Sequence, residues 1–195
     1  MAPPTERVVG GPRGRLSLAA LGLLLLVALV AYGLDQLAKA LITENLREGE
    51  IVPLLDEVLQ LHFVTNSGAA FSLGSGFTWI LSIVSSGVVV LIIVFAARIR
   101  SLAWATMFGL VLGGALGNLT DRLFRPPSFG MGHVVDFIQV WGFPAIFNVA
   151  DIAVVCGMGL FILLSLRGVR LDGSRHAPSR SDDSAAAVPD GASGD

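Results

Sequence analysis

Four long apolar runs, separated by polar segments, organise the chain. Leu16 to Leu34, Phe77 to Ala97 and Leu102 to Thr120 carry no charge, and Ala145 to Leu166 carries one acid, Asp151. A helix needs about 20 mostly apolar residues to cross a bilayer. The pattern therefore predicts four spans, 16–34, 77–97, 102–120 and 145–166, within one membrane domain of residues 16–166. Each run is longer than the apolar stretch of a signal peptide, about 7–15 residues, so we expect no cleaved leader at the first one.

The segments between the runs differ in kind. In the loop 35–76, Asp35 to Leu46 can continue as a short amphipathic helix. Ile51 to Thr65 reads as strand, with Leu59, Leu61 and Phe63 alternating with Gln60, His62 and Val64, and Asn66-Ser67-Gly68 signals a turn. The loop 121–144 carries Pro126, Pro127, Gly130, Gly132, Gly142 and Pro144 and reads as irregular. Residues 1–15 form a short N-terminal segment, and 167–195 read as a disordered tail rich in Ser, Asp, Ala and Gly. In the third run Gly109, Gly113 and Gly117 recur every four residues, a seam that lets helices approach closely and places that span centrally.

Composition agrees with a membrane setting. Hydrophobic residues make up 53% and charged residues 14%, against about 45–50% and about 25% in soluble domains. A soluble globule and a disordered chain are both excluded. The net charge of -2 suggests no nucleic-acid partner, and the single cysteine, Cys156, excludes a disulfide framework. The arginines give a direction. Arg7, Arg13, Arg15, Arg98, Arg100, Arg167, Arg170, Arg175 and Arg180 fall on one side, which the positive-inside rule makes cytoplasmic. Both termini are then inside, and the loops 35–76 and 121–144 face outward.

Against this topology the polar residues form one layer. Asp35 ends the first run; Asn118, Asp121 and Arg122 end the third; Asp136 lies in the following loop; Asn148 and Asp151 lie in the first two turns of the fourth. All fall at the outer membrane edge. Ionisable groups there are costly and mark candidate sites. Asn118 with Asp121, and Asn148 with Asp151, are three apart and share a helix face. The bland alternative is helix caps and structural ion pairs, which Asp121 beside Arg122 fits. It fits Asp151, expected one to two turns inside a span, less well.

The layer restricts the chemistry. No span holds a histidine, Gly-x-Ser-x-Gly and His-Glu-x-x-His are absent, and Cys156 reads as a small core residue. Two carboxylates sharing one proton remain, one ionised to activate water and one protonated to polarise a carbonyl. The spacing does not say which two. A cation-binding transporter subunit and a non-catalytic scaffold are the rival classes, but no polar stripe continues inward from the acids.

At these residues the chain resembles the lipoprotein signal peptidases, or signal peptidase II. The matching segments run in the family's order: Asp35-Gln36-Leu37-Ala38-Lys39; Asn66-Ser67-Gly68-Ala69-Ala70-Phe71; Gly113 to Arg122; Val134-Val135-Asp136-Phe137-Ile138; and Phe147-Asn148-Val149-Ala150-Asp151. The resemblance implies an α-helical integral membrane protein with four transmembrane helices and a small extracytoplasmic β-cradle. It implies an aspartic endopeptidase of the bacterial inner membrane that removes the signal peptide from prolipoproteins, cutting on the amino side of a cysteine bearing diacylglycerol. Asp136 and Asp151 would be the catalytic dyad. Asn66, Arg122 and Asn148 would line the substrate groove, with Gly68 among the supporting positions, and Asp121 with Asn118 would hold the frame. Asp35 and Lys39 would be structural. The partners would be prolipoproteins and membrane lipids; no metal or organic cofactor is required, and nothing calls for more than one chain. The stretch from Arg125 to Gly130 looks inserted relative to the family and is expected to alter the lid beside the site.

Overall fold

The computed structural model describes residues 17–68 and 78–174. The expectations for residues 1–15, for 175–195 and for Ala69-Ala70-Phe71 lie outside the described residues. In chain order the elements are α1 (Leu18–Asn45), β1 (Ile51–Leu55), β2 (Leu59–Asn66), α2 (Thr78–Ala96), α3 (Leu102–Phe124), β3 (Val134–Val140) and α4 (Val149–Leu166). The four helices are each long and apolar enough to cross a membrane. Leu29, Val30, Ile83, Val90 and Ile93 point away from the bundle and are exposed, as lipid-facing side chains should be.

α1 begins at Ser17, whose hydroxyl caps Ala20 N. It does not stop at Leu34. Leu24, Ala28, Ala31, Asp35, Lys39 and Ile42 form one buried stripe at spacings of three and four. The amphipathic segment is thus the last three turns of the same helix. The stripe meets α3, the most buried helix. A Cβ on Gly113 would lie 2.6 Å from Ala28 O and 2.7 Å from Ala31 Cβ, so α1 and α3 touch backbone to backbone there. On α3's other face Gly114 meets the Ala150 carbonyl of α4. α2 packs on α3 alone among the principal contacts, and α3 is the hub of the bundle.

At one end of the bundle sits a three-stranded antiparallel sheet in the order β1-β2-β3. The region 51–65, expected as strand, is a hairpin, turning at Asp56, which has φ of 48°. β3 was not expected at all: the loop 121–144 reads as irregular but pairs Asp136 with Val64 and Asn66 with Val134. Its first four residues are all buried, so it shows no period-two alternation to reveal it. Phe63, Val135 and Phe137 close over Ile42, fixing the sheet to the projecting end of α1.

Two further boundaries differ. α4 starts at Val149 rather than Ala145, because Phe147 is still extended and bridges Ile138. Residues 167–174 are not a disordered start to the tail. Trp104 Nε1 donates to Val169 O at 3.0 Å, and Arg100 N and Ser101 N both donate to Leu171 O, so the segment folds back over the α2–α3 turn.

Candidate active site

Asp151 and Asn148 are placed by the start of α4. Asn148 is the N-cap, and its Oδ1 accepts from Asp151 N at 3.0 Å. Asp151 Oδ2 accepts from Asn148 N at 3.1 Å, closing a reciprocal capping box. Asp151 therefore stands in the first turn of α4, not one to two turns inside the span.

Asp136 reaches the same place from the sheet. It sits on β3 and is 4% exposed. Its Oδ2 accepts from Asn66 Nδ2 at 2.9 Å, across the β2–β3 ladder, and its Oδ1 accepts from Asn148 Nδ2 at 2.7 Å. Asn118, on α3, completes the link. Its Nδ2 donates to Asp151 Oδ1 at 2.9 Å, and its Oδ1 accepts from Asn148 Nδ2 at 3.1 Å. Each aspartate is thus held by an asparagine amide, and the two amides are hydrogen-bonded to each other. Burial pushes the Asp136 carboxyl up to about 6. The neighbouring Asp151 charge adds to the rise, and the Asn66 and Asn148 amides oppose it.

Both aspartates line one cavity of about 600 Å3, together with Asn66, Gly68, Asn118 and Arg122. Its other walls are apolar, from Leu81 and Val84 of α2 and Ile152 and Val155 of α4. Cys156 also lines it and is exposed, which corrects its reading as a core residue. No histidine lines this cavity among the described residues. Arg122 is 8% exposed. Its Nη2 donates to Gly68 O at 3.1 Å, while Nη1 has no partner among the described residues. Asn66 Oδ1 accepts from Gly68 N, so the Asn66–Gly68 turn is held at both ends.

The remaining expected residues lie behind the cavity. Asp121 does not pair with its neighbour Arg122. Adjacent helix positions diverge by about 100°, and Asp121 instead meets Lys39 Nζ and Arg125 Nε, each at 2.8 Å, and accepts from Val135 N at 3.2 Å. Asp35 and Lys39 are wholly buried and paired at 2.8 Å. Asp35 Oδ1 accepts from Ala150 N, so α1 helps cap α4. The stretch from Arg125 to Gly130, which looks inserted in the sequence, is not among the cavity's lining residues. It folds back on α3, with Gly132 N donating to Arg122 O and His133 N to Pro126 O, and Ser82 of α2 holds Gly130 O at 2.7 Å. The α2 wall residues were missed in the sequence, because a uniformly apolar helix carries no mark of which face meets a cavity rather than lipid.

Comparison with known proteins agrees with this architecture. The family described as Signal peptidase (SPase) II matches residues 27–167. The lipoprotein signal peptidase of Leifsonia xyli is 60% identical over 163 residues, covering 84% of this chain and 76% of the relative. That of Rhodococcus jostii is 46% identical over 153 residues, covering 78% and 77%. A solved bacterial membrane enzyme superposes with a TM-score of 0.69 at 26% identity, covering 80% of this chain and 95% of the other. A second gives 0.65 at 28% identity, covering 75% and 94%. With the match running from within α1 through the sheet to the end of α4, the chain belongs to the signal peptidase II family.

Proposed function

We propose that this chain is a membrane aspartic endopeptidase that removes signal peptides from diacylglyceryl-modified prolipoproteins, cutting on the amino side of the lipidated cysteine. The observation that carries the reading is the convergence of Asp136 and Asp151 on one cavity, each braced by an asparagine amide. The names of the relatives support the substrate class.

In this reading the dyad holds one proton. Asp136, whose carboxyl burial favours neutral, carries it and faces the scissile carbonyl. Asp151, ionised, takes a proton from water as the oxygen attacks the carbonyl carbon. Asp136 gives its proton to the carbonyl oxygen. As the tetrahedral intermediate collapses, the Asp151 proton passes to the cysteine nitrogen, the C–N bond breaks, and Asp136 regains its proton from the hydroxyl. Arg122 is suited to hold a substrate carbonyl, because Nη1 faces no partner among the described residues. The dyad lies at one end of the bundle, so the peptide bond would sit at headgroup depth, where water reaches it. The diacylglyceryl chains would remain in lipid, against the apolar walls from α2 and α4.

The domain division, 16–166 as the catalytic membrane unit, follows from the same reading. The arginine asymmetry supports cytoplasmic termini and a site at the outer face. A reporter fused after Arg100 should then read cytoplasm.

The pH profile tests the aspartic chemistry. The active form is singly protonated, so kcat/KM should fall about tenfold per pH unit as pH rises through the upper dyad pKa. Bound substrate excludes water and favours the neutral carboxyl further, so the alkaline limb of kcat should lie at higher pH than that of kcat/KM. A rate that climbs without an alkaline limb up to the pH of unfolding would contradict the mechanism.

A further inference from the structure

Lys39 is wholly buried, does not line the cavity, and has no proton to move in the mechanism above. Its ammonium has three donors and no acceptor. All three are taken: Asp35 Oδ2 at 2.8 Å, Asp121 Oδ2 at 2.8 Å, and Asn118 Oδ1 at 3.0 Å. The third contact separates this group from an ordinary buried ion pair. The oxygen and nitrogen of an asparagine amide have the same shape, and their placement follows from the partners. A donor-only ammonium forces the Asn118 oxygen toward α1 and turns Nδ2 onto Asp151. The same oxygen accepts from Asn148, whose Nδ2 reaches Asp136. Asn148 is already set by the Asp151 N–H on its Oδ1, so the cation bears on the Asn118 amide and on the donor that amide presents to Asp151.

We infer that Lys39 is a positioning residue for the reaction, acting through the Asn118 amide to keep an N–H donor on Asp151. This rests on Asp136 and Asp151 being the dyad. Without a donor at position 39, only the Asn148 amide still holds the Asn118 oxygen, and Asn118 can turn that oxygen toward Asp151. A carbonyl oxygen beside a carboxylate is tolerated when a proton lies between them, so the dyad would then hold its proton to higher pH. The charged groups that act on the dyad from its neighbours are Lys39 of α1 and Arg122 of α3, with Asp35 and Asp121 paired to Lys39 behind them.

Two double variants separate orientation from charge. Asp35→Asn/Lys39→Gln and Asp35→Asn/Lys39→Met remove the same charges, and Asp121 keeps Arg125 in both. Glutamine retains an N–H for Asn118; methionine, of similar length, does not. Relative to Asp35→Asn alone, the glutamine variant should keep kcat within about tenfold. The methionine variant should lose about 100-fold in kcat, the scale of a misoriented catalytic group. Its alkaline limb should also move to higher pH than that of the glutamine variant. Equal kcat values and equal limbs for the two would overturn the inference and leave Lys39 a structural ion. If the methionine variant does not fold, Asn118→Asp carries the test: Lys39 still holds one oxygen, and the donor to Asp151 is gone. It should show the same loss and upward limb, and near-native kcat with an unmoved limb would overturn the inference. Should Asp136→Asn or Asp151→Asn remain active, the dyad itself fails; should they be inactive while the two doubles agree, only the role of Lys39 fails.

Discussion

Asp136→Asn and Asp151→Asn are each expected to lower the cleavage rate by about 1,000-fold or more, because each removes a proton carrier that no neighbour replaces. Both keep the shape of the side chain, so the fold should survive with local cost. At position 151 the substituted amide oxygen can still accept from Asn148 N and preserve the helix cap. Its nitrogen then meets Asn118 Nδ2, which cannot turn away because Lys39 holds the other end of that amide. At position 136 one of the two amide donors, from Asn66 or Asn148, loses its acceptor. Each unsatisfied donor costs about 1–3 kcal/mol. Thermal unfolding in detergent, alongside the rate, distinguishes lost chemistry from lost structure. A folded single variant that cleaves at near the native rate would contradict the dyad.

The second large effect is expected at a residue with no chemistry. Gly114→Ala should destabilise the protein by about 1–3 kcal/mol and slow cleavage by about 100-fold. The new methyl group would press on the Ala150 carbonyl and lie 2.7 Å from Val154 Cγ2. Both belong to the start of α4, so relief requires α4 to move away from α3. Asp151 moves with α4, whereas Asp136 is held by the sheet, and the separation of the two carboxylates changes. Gly87→Ala and Gly159→Ala are the controls, since a Cβ at either meets nothing within 4 Å. Those two should leave both the melting temperature and the rate close to native. If Gly114→Ala matches them, α3 and α4 do not set the dyad geometry.

The spans were legible because about 20 uncharged residues leave few alternatives. Their ends were less so, because hydropathy reports contact with lipid, whereas a helix ends where its hydrogen bonds end. α1 therefore runs on past Leu34 through Asp35 and Lys39, and α4 waits for its cap at Asn148. β3 was hidden because burial on both faces removes alternation. In the site, the repeated Asn-x-x-Asp pattern was visible, but its two copies do different work. On α4 it is a capping box; on α3 Asn118 turns to the dyad and Asp121 turns to Lys39 and Arg125. The choice of Asp136 and Asp151 came from the family resemblance, since spacing leaves several carboxylates equivalent. The cavity wall from α2 and the exposed place of Cys156 lay beyond the sequence, because an apolar residue reads alike against lipid, core or groove.

The most direct measurement is cleavage of one lipobox precursor by the purified protein, with and without diacylglycerol on the cysteine, with the product masses determined. The account predicts a single cut on the amino side of the lipidated cysteine and a kcat/KM at least about 100-fold lower for the unlipidated form, reflecting the lost burial of two acyl chains. Equal cleavage of both forms, a cut at another bond, or no cleavage of the lipidated precursor would contradict it.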